Sequence, residues 1–329
     1  MLIDIFNRQI NYLRISVTDR CDLRCKYCML ENMEFLPKSE VLSLEQIERL
    51  CDIFIEQGIK KIRLTGGEPL VRKNIMHLIN RIGRKIDNTR LKELTLTTNG
   101  TLLSKYAKEL KKSGINRINV SLDTLNPMKY ESITRRGDIT KVLEGIEESL
   151  KNKIKIKINC VALKNFNEDE LENMVLWCGK KGLDLTFIEV MPMGETSEGR
   201  YNQYFPLKNV REALRKRFSL KPSSFQTGGP ARYDYHEKYN TKVGYITPLT
   251  QNFCDNCNRI RITCTGKLFM CLGQEKYVDF RELLQKESNN KKIIELIKYS
   301  MKIKPKGHEF EINQKTKPYL SRFMNTTGG

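Results

Sequence analysis

The chain has 329 residues, of which 39% are hydrophobic and 29% charged, a balance typical of a globular protein rather than a disordered or fibrous one. No apolar run approaches the ~20 residues of a membrane-spanning helix, and the first residues lack the pattern of a secretory signal, so we expect a cytoplasmic protein outside the membrane. The 58 Lys and Arg exceed the 39 Asp and Glu by 19. This excess fits a solvated lysine-rich surface or an anionic partner.

From about residue 12 to residue 190, short β-rich runs alternate with amphipathic helical stretches. The predicted strands are 12–17, 59–65, 94–98, 117–122, 154–162 and 185–190. A capping box at Ser43 and Gln46 begins a helix that ends at Gly58, and further helices are predicted at about 102–113, 139–151 and 168–181. We expect Asn167 to cap the last of these helices, with Glu170 as its capping partner.

Strands that each return through a helix pair in parallel, because parallel neighbours need a long crossover. Six such units predict an α/β fold, either an incomplete barrel or an open doubly wound sheet, with function at the carboxyl ends of the strands. After about residue 195 the alternation stops. The chain therefore predicts two parts, 1–195 and 196–329, in contact with each other because no long low-complexity linker separates them.

Three cysteines lie close together just after the first predicted strand, in the segment Cys21-Asp-Leu-Arg-Cys25-Lys-Tyr-Cys28. Clustered cysteines in a reducing cytosol indicate metal or redox chemistry, and soft thiolates select zinc or iron–sulfur clusters. A structural zinc ion needs a fourth ligand, whereas three thiolates suit a 4Fe–4S cluster with one iron left open to a small molecule. A zinc knuckle is the alternative.

The spacing of these cysteines, with Tyr27 before the last one, resembles the signature of the radical S-adenosylmethionine superfamily. The next strand ends in Thr65-Gly66-Gly67-Glu68-Pro69, which is similar to the second motif of that superfamily, a backbone segment that pairs with the methionine amino group. A glycine pair is a weak signal alone and a strong one in this position.

A second cysteine group comprises Cys254 and Cys257, followed by Cys264 and Cys271. Four thiols could form a separate structural zinc site. The other interpretation is a second three-cysteine cluster on Cys254, Cys257 and Cys271, with the role of Cys264 left open. Arg259 and Arg261 alternate on one face beside this group, and guanidinium forks suit phosphate.

Taken in order, these features resemble the GTP 3′,8-cyclase family of molybdenum-cofactor biosynthesis over nearly the whole chain. The resemblance is carried by 14–21 (RISVTDRC), 62–69 (IRLTGGEP), 97–100 (TTNG), 118–123 (INVSLD), 187–191 (FIEVM), 229–232 (GPAR), the second cysteine and arginine set, and the terminal Gly328-Gly329. It implies an α/β fold built as an incomplete (β/α)6 TIM-like barrel, whose open side is closed by a C-terminal α+β segment.

The resemblance also implies ligands for two 4Fe–4S clusters, S-adenosylmethionine and GTP. By this resemblance, the first cluster is bound by Cys21, Cys25 and Cys28, and the second cluster is bound by Cys254, Cys257 and Cys271. S-adenosylmethionine is bound by Tyr27, Gly67, Ser121 and Met191. GTP is bound by Arg14, Arg63, Thr97, Lys157, Arg259 and Arg261. Gly328 and Gly329 form a catalytic tail that reaches into the pocket. Lys153, Lys155 and Lys157 alternate along one strand, so the lysine that contacts GTP is left open.

In the implied reaction, a 5′-deoxyadenosyl radical takes hydrogen from ribose C3′ of GTP, and C3′ then bonds to guanine C8 to give (8S)-3′,8-cyclo-7,8-dihydro-GTP. The implied partners are a low-potential electron donor and a downstream cyclic pyranopterin monophosphate synthase; a homodimer is left open and no nucleic acid is expected. Two alternatives stay open. One is another two-cluster radical enzyme that modifies a peptide or tRNA, and the other is a zinc-binding nucleic-acid module.

Overall fold

The structure is a computed structural model that describes residues 1–194, 199–286, 289–312 and 320–328. The strands are β1 Leu2–Ile3, β2 Gln9–Ile10, β3 Tyr12–Ser16, β4 Lys61–Thr65, β5 Glu93–Thr98, β6 Arg117–Ser121, β7 Lys155–Ala162, β8 Asp184–Glu189, β9 Lys221–Ser223, β10 Arg232–His236, β11 Thr241–Ile246, β12 Arg259–Ile262, β13 Lys267–Phe269 and β14 Tyr277–Asp279. The α-helices are α1 Leu44–Glu56, α2 Ile75–Gly83, α3 Leu103–Lys112, α4 Pro127–Thr134, α5 Ile139–Lys151, α6 Leu171–Lys181, α7 Arg200–Gln203, α8 Leu207–Phe218, α9 Arg281–Lys286, α10 Lys291–Lys302 and α11 Met324–Thr327.

Twelve strands form one sheet in the order β14-β13-β12-β3-β4-β5-β6-β7-β8-β11-β10-β9. Its centre, β3 to β8, runs in chain order and is parallel throughout, with one or two helices on each crossover. The prediction of six parallel strands with helical returns is confirmed, and the fold is a mixed α/β fold. Because parallel strands share a direction, their carboxyl ends meet at one edge, where loops of distant sequence come together.

The C-terminal part of the chain extends this sheet on both sides. Strand β11 pairs in parallel with β8, and β12 pairs in parallel with β3. The second cysteine group, which flanks β12, is thereby brought beside the strand that leads into the first cysteine loop. None of the helices among the described residues combines the length and the apolar character needed to cross a bilayer.

The start of α1 follows the predicted capping box. Ser43 Oγ accepts the Gln46 N–H at 3.2 Å, and Gln46 Oε1 accepts the Ser43 N–H at 2.9 Å, so two otherwise unpaired donors are satisfied. The helix ends before Gly58, whose φ of +108° suits a residue without a side chain.

The predicted cap of α6 is wrong. The helix begins at Leu171 after a short 3-10 turn, and Asn167 gives it no side-chain cap. Asn167 Oδ1 instead accepts the Leu163 N–H at 2.9 Å, while its Nδ2 donates to the Asp123 carbonyl at 2.7 Å. Glu170 pairs with Lys129 at 3.0 Å. Both side chains therefore join the loops after β6 and β7 rather than close a helix end.

Candidate active site

The first cavity lies at the carboxyl ends of β4 to β8, beside the loop of the first cysteine trio, and encloses about 1100 Å³ including its open mouth. Its walls include all three cysteines of that trio and all four residues assigned by resemblance to S-adenosylmethionine, namely Cys21, Cys25, Cys28, Tyr27, Gly67, Ser121 and Met191. The predicted set therefore converges on one cavity. No other cysteine of the described residues lines it, so these three thiols are the sulfur donors that the cavity offers.

Gly67 stands where the loop after β4 meets the cysteine loop. A Cβ at this position would lie 2.4 Å from the carbonyl oxygen of Arg20, so only glycine permits the approach. Glu68 then fixes the loop from the other side: its carboxylate accepts the Leu70 N–H at 2.9 Å and the Asn99 N–H at 2.7 Å. Gly67 and Glu68 of this motif therefore have different structural roles: the glycine permits close approach of the backbone, and the glutamate accepts hydrogen bonds that fix the loop.

Burial sets the protonation of the first trio. Loss of solvent raises the pKa of the Cys28 thiol to about 11 and holds the pKa of Cys25 well above its ordinary value. Without a positive centre these side chains stay protonated. A bound metal would deprotonate them, because thiolate ligation and proton release are coupled.

Tyr27 is oriented by a residue that the sequence did not single out. Its hydroxyl donates to Asp123 Oδ2 at 2.7 Å, and Asp123 Oδ1 accepts the Val161 N–H at 2.8 Å. Burial raises the pKa of Asp123 to about 6. Its role could have been inferred from the sequence, because Asp123 lies at the carboxyl end of β6, two residues after Ser121.

The second cavity adjoins the first and also encloses about 1100 Å³ with its mouth. Its predicted wall residues are Arg14, Arg63, Lys157, Arg259, Arg261, Cys254, Cys257 and Cys271. Four residues line both cavities, namely Asn159, Ile188, Met191 and Met324. The two cysteine trios therefore open onto neighbouring cavities with a shared wall.

Strand register explains how these cations meet. Arg261 stands opposite Arg14, and Arg14 stands opposite Arg63, so three guanidiniums lie side by side across β12, β3 and β4. The next row continues through Thr97, Asn119 and Lys157. Thr97 lines the first cavity rather than the second, but its hydroxyl accepts from Arg63 Nη1 at 3.1 Å and so orients that guanidinium.

The cations in this cavity destabilise one another. Burial, followed by neighbouring charges, lowers the pKa of Lys157 and Arg14 well below their usual values and that of Arg261 to about 10. An anion would relieve this repulsion through charge-assisted hydrogen bonds. Lys157 is 5% exposed, whereas Lys155 is exposed and Lys153 precedes the strand, so Lys157 alone of the three lines the cavity.

Further residues in the walls of the cavities were not predicted from the sequence. Lys61 lines the second cavity and pairs with Glu93 at 2.7 Å. Within the described chain, Asn119 Oδ1 and Asn159 Oδ1 are buried without a hydrogen-bond partner. Buried polar atoms are rarely left unpaired, so these two amides favour a polar ligand in the cavities. Both could have been found from the sequence, because side chains two residues apart on a strand point to the same face: Asn119 lies two residues from Ser121, and Asn159 lies two residues from Lys157.

The second trio has a different electrostatic setting. Burial by itself raises the pKa of the Cys257 thiol, but the charges of Lys304, Arg259 and Arg8 and a hydrogen bond with the Arg259 backbone together outweigh burial, and the pKa is lower than usual. Cys264, whose role the sequence left open, is fully buried beyond the far end of β12 and lines neither cavity. The structure therefore brings Cys254, Cys257 and Cys271 together and leaves Cys264 apart.

The C-terminal tail enters this region. Asn325 Nδ2 donates to the Asp19 carbonyl at 3.0 Å, and the Gly328 carbonyl accepts from Arg261 Nη1 at 2.8 Å. A Cβ at Gly328 would lie 1.9 Å from Thr65 Oγ1, so close approach requires this glycine. Gly329 lies outside the described residues.

Comparison with known proteins agrees with this arrangement. Residues 15–178 match the model of the Radical SAM superfamily, and residues 183–310 match that of Molybdenum Cofactor Synthesis C. The fold is similar to that of the Streptococcus suis protein SuiB, solved bound to S-adenosylmethionine, with a TM-score of 0.63 and 16% identity over 98% of this chain and 77% of that one. Fold and site define an enzyme of the radical S-adenosylmethionine class.

Sequence comparison then gives the family. The chain is 53% identical to GTP 3′,8-cyclase from Mesorhizobium japonicum over 100% of its own length and 99% of that protein. It is 52% identical to GTP 3′,8-cyclase from Sinorhizobium medicae, over 100% of this chain and 94% of the relative. The chain belongs to the GTP 3′,8-cyclase family, as the resemblance predicted, and 4Fe–4S clusters and S-adenosylmethionine are the cofactors of that family.

The residues present fit these cofactors. Each trio supplies three soft sulfur donors at a cavity wall, which suits iron–sulfur ligation. Among the described residues, no three His, Cys, Asp or Glu side chains are grouped so as to hold a single metal ion. Asn159 lines both cavities and its amide oxygen has no hydrogen-bond partner, so a polar ligand there would satisfy it.

Proposed function

We propose that this chain converts GTP into (8S)-3′,8-cyclo-7,8-dihydro-GTP, the first step of molybdenum-cofactor biosynthesis. The observation that carries the proposal is the pair of adjoining cavities, one beside each cysteine trio, of which the second is lined by a row of buried and half-buried cations. A triphosphate is the ligand that such a row suits, because it presents several anionic oxygens to several guanidinium forks.

The architecture in this proposal is an incomplete (β/α)6 TIM-like barrel formed by β3 to β8. Residues 1–195 would form it, and residues 196–329 would close its open side as an α+β segment. Support comes from the consecutive parallel order of the six strands and from β11 and β12, which continue the sheet at its two edges. The proposed boundary falls at residues 195–198, outside the described residues.

Cys21, Cys25 and Cys28 would hold the first cluster, and Cys254, Cys257 and Cys271 the second. When bound, the clusters and S-adenosylmethionine supply the electron and the radical that takes hydrogen from ribose C3′.

The chain's own residues would hold the cofactor in the first cavity. The Tyr27 ring is fixed by Asp123 and forms one wall, and Met191 forms part of another. Gly67, which has no side chain, and Ser121 line the same space. These groups would orient the ligand and exclude water, and both effects matter for a reactive centre.

Arg14, Arg63, Arg261 and Lys157 would bind the triphosphate, with Thr97 orienting Arg63 and with Arg259 beside the second trio. The guanine base would then point towards Cys254, Cys257 and Cys271. Met191 and Met324 line both cavities, so the ribose between base and triphosphate would lie against the shared wall. The tail would close the site, since Gly328 contacts Arg261.

Partners follow from the chemistry. A low-potential electron donor must reduce the first cluster, and a cyclic pyranopterin monophosphate synthase would consume the product. A homodimer is compatible with this scheme, and no nucleic acid is required. All ten cysteines are unpaired, which fits a reducing cytoplasm.

The test is an anaerobic incubation of the reconstituted protein with GTP, S-adenosylmethionine and a strong reductant, followed by mass-spectrometric identification of the product. We expect 5′-deoxyadenosine and the cyclised nucleotide in equal amounts. The Cys21→Ala variant should form neither, and Cys264→Ala should form both. Formation of 5′-deoxyadenosine without consumption of GTP would refute the substrate and favour a radical enzyme that acts on a peptide or tRNA.

A further inference from the structure

A lysine is fully buried against the second cysteine trio. Lys304 follows α10 and is 1% exposed, and its Nζ donates to the carbonyl oxygens of Arg259, at 3.1 Å, and of Met270. Its third partner is the Cys257 sulfur, at 3.7 Å. The ammonium group therefore lies between the two chain segments that carry Cys257 and Cys271.

These partners leave the charge of Lys304 uncompensated. A buried ammonium group is unfavourable unless an anion accompanies it, because burial removes its hydration. Two of its partners are neutral carbonyls and the third is a sulfur, and none is a carboxylate. The site thus favours a negatively charged group at the sulfur end of the lysine. An iron–sulfur cluster with its thiolate ligands is such a group.

The position of Lys304 is fixed from outside by the N-terminal segment. Arg8 Nη1 donates to the Cys254 carbonyl at 2.8 Å, and Arg8 Nη2 donates to the Pro305 carbonyl at 2.6 Å. Arg8 is itself held by Asp4, with 2.6 Å between Nε and Oδ2, in a pair that is buried on both sides. One guanidinium therefore ties the cysteine loop to the residue that follows Lys304.

A glycine lets the segment after Lys304 approach a second cysteine of the trio. At Gly307, a Cβ would lie 3.1 Å from both Cβ and Sγ of Cys254, so the backbone passes closely over that ligand. Residues 304–307 therefore approach two of the three cysteines, by an ammonium group at Cys257 and by backbone at Cys254. In the first trio, Cys21 Sγ receives donors without a charge, namely the Leu23 N–H at 3.4 Å and the Asn99 amide at 3.8 Å.

We propose that Lys304 is a positioning residue of the second cluster: its buried positive charge, held against Cys257 by an N–H···S bond, makes the reduction potential of that cluster less negative. Reduction adds one electron, so the reduced cluster carries one more negative charge than the oxidised one. A fixed cation and hydrogen bonds to sulfur stabilise the reduced state more, and both are established levers on cluster potentials. The inference rests on the part of the proposed function that assigns a cluster to the second trio.

The test is a redox titration followed by electron paramagnetic resonance. It uses the full chain with Cys21, Cys25 and Cys28 replaced by alanine, so that the second trio holds the sole cluster. In this background, Lys304→Met removes the charge and the donor at similar length. Lys302→Met, at the exposed end of α10, is the matched control. We expect a more negative midpoint for Lys304→Met and an unchanged midpoint for Lys302→Met.

An unchanged midpoint in Lys304→Met at equal iron content would overturn the proposal, since a purely structural role predicts that result. If Lys304→Met fails to retain iron, Lys304→Gln, which keeps an N–H donor without the charge, decides. A midpoint potential of Lys304→Gln that is more negative than that of the parent supports the proposal, and a midpoint equal to that of the parent refutes it. The titration contains no GTP, so a shifted midpoint stands even if GTP is not cyclised, whereas a background protein without iron refutes the second cluster and this inference together.

Discussion

Arg261 Nη1 donates to the Gly328 carbonyl oxygen at 2.8 Å, so a residue in the wall of the second cavity holds the C-terminal tail. Arg261 stands opposite Arg14 in the row of cations proposed to bind triphosphate. The tail and the triphosphate would therefore share one guanidinium. Placement of the tail and binding of the nucleotide are expected to be coupled.

Replacement of Gly328 by alanine should displace the tail. Gly328 has φ of +72°, which is unfavourable for an L-residue by about 1–2 kcal/mol, and the new Cβ would collide with Thr65 Oγ1. We expect both clusters to load normally and cyclisation to fall by at least ~10-fold, the factor that corresponds to about 1.4 kcal/mol in the barrier. Iron content and product formation measure the two effects.

Gly182→Ala is the matched control for that variant. Gly182 has φ of +67° and no atom within 4 Å of its Cβ position, so this variant adds backbone strain without a collision. It should lower the melting temperature and leave turnover unchanged. Full turnover by Gly328→Ala would contradict the role of the tail.

Iron content should report the two trios separately. The parent should bind about eight irons per chain, and the triple replacement of Cys254, Cys257 and Cys271 by alanine should leave about four. Cys264→Ala should keep about eight, because Cys264 lines neither cavity. Iron and sulfide analysis after anaerobic reconstitution measures these values. Loss of half the iron in Cys264→Ala would assign the second site a different ligand set.

The lysines of β7 should differ in their effect on GTP. Lys157→Met removes a buried cation from the row and should raise the Kd for GTP by ~10-fold or more, since a charge-assisted hydrogen bond contributes about 1.5–3 kcal/mol. Lys155→Met, which alters an exposed side chain at the start of the same strand, should leave the Kd unchanged. Equilibrium dialysis with GTP checks both. Equal weakening by the two variants would refute the assignment of Lys157.

The sequence predicted β3 to β8 to within about two residues, because alternation of buried strands with capped helices is a local signal. It did not predict α2, whose N-cap Asn74 is left-handed and makes no side-chain cap, so the usual start signal is missing. It also did not predict α4, although Asn126 and Pro127 form a regular start there: Asn126 Oδ1 accepts the Met128 N–H at 2.9 Å.

The candidate site was predictable where motifs carry it and not where tertiary contacts do. The cysteines and the glycine pair have fixed spacing, so a resemblance locates them. The row of Arg261, Arg14 and Arg63 depends on the register between β12, β3 and β4, which no local pattern specifies. The contact of Lys304 with Cys257 joins residues far apart in sequence and follows only from the packed structure.

Tyr27 and Asp123 should be energetically coupled. Their hydrogen bond of 2.7 Å is partly buried, so Tyr27→Phe and Asp123→Asn should each destabilise the protein, and the double variant should lose less than the sum. A coupling of about 0.5–3 kcal/mol is expected from urea unfolding. Tyr299→Phe, which changes an exposed tyrosine on α10, should show no coupling to Asp123→Asn.

The same pair predicts a dependence of stability on pH. Burial raises the pKa of Asp123 from 3.8 to about 6, so between these values the folded protein binds more protons than the unfolded chain. The contribution of Asp123 is therefore fully present below pH 3.8 and is lost as the pH rises through about 6. Asp123→Asn should remove this part of the pH dependence, measured as the difference between variant and parent in the free energy of unfolding on either side of that pKa. An identical pH profile in the two proteins would show that Asp123 keeps its ordinary pKa and would contradict this prediction.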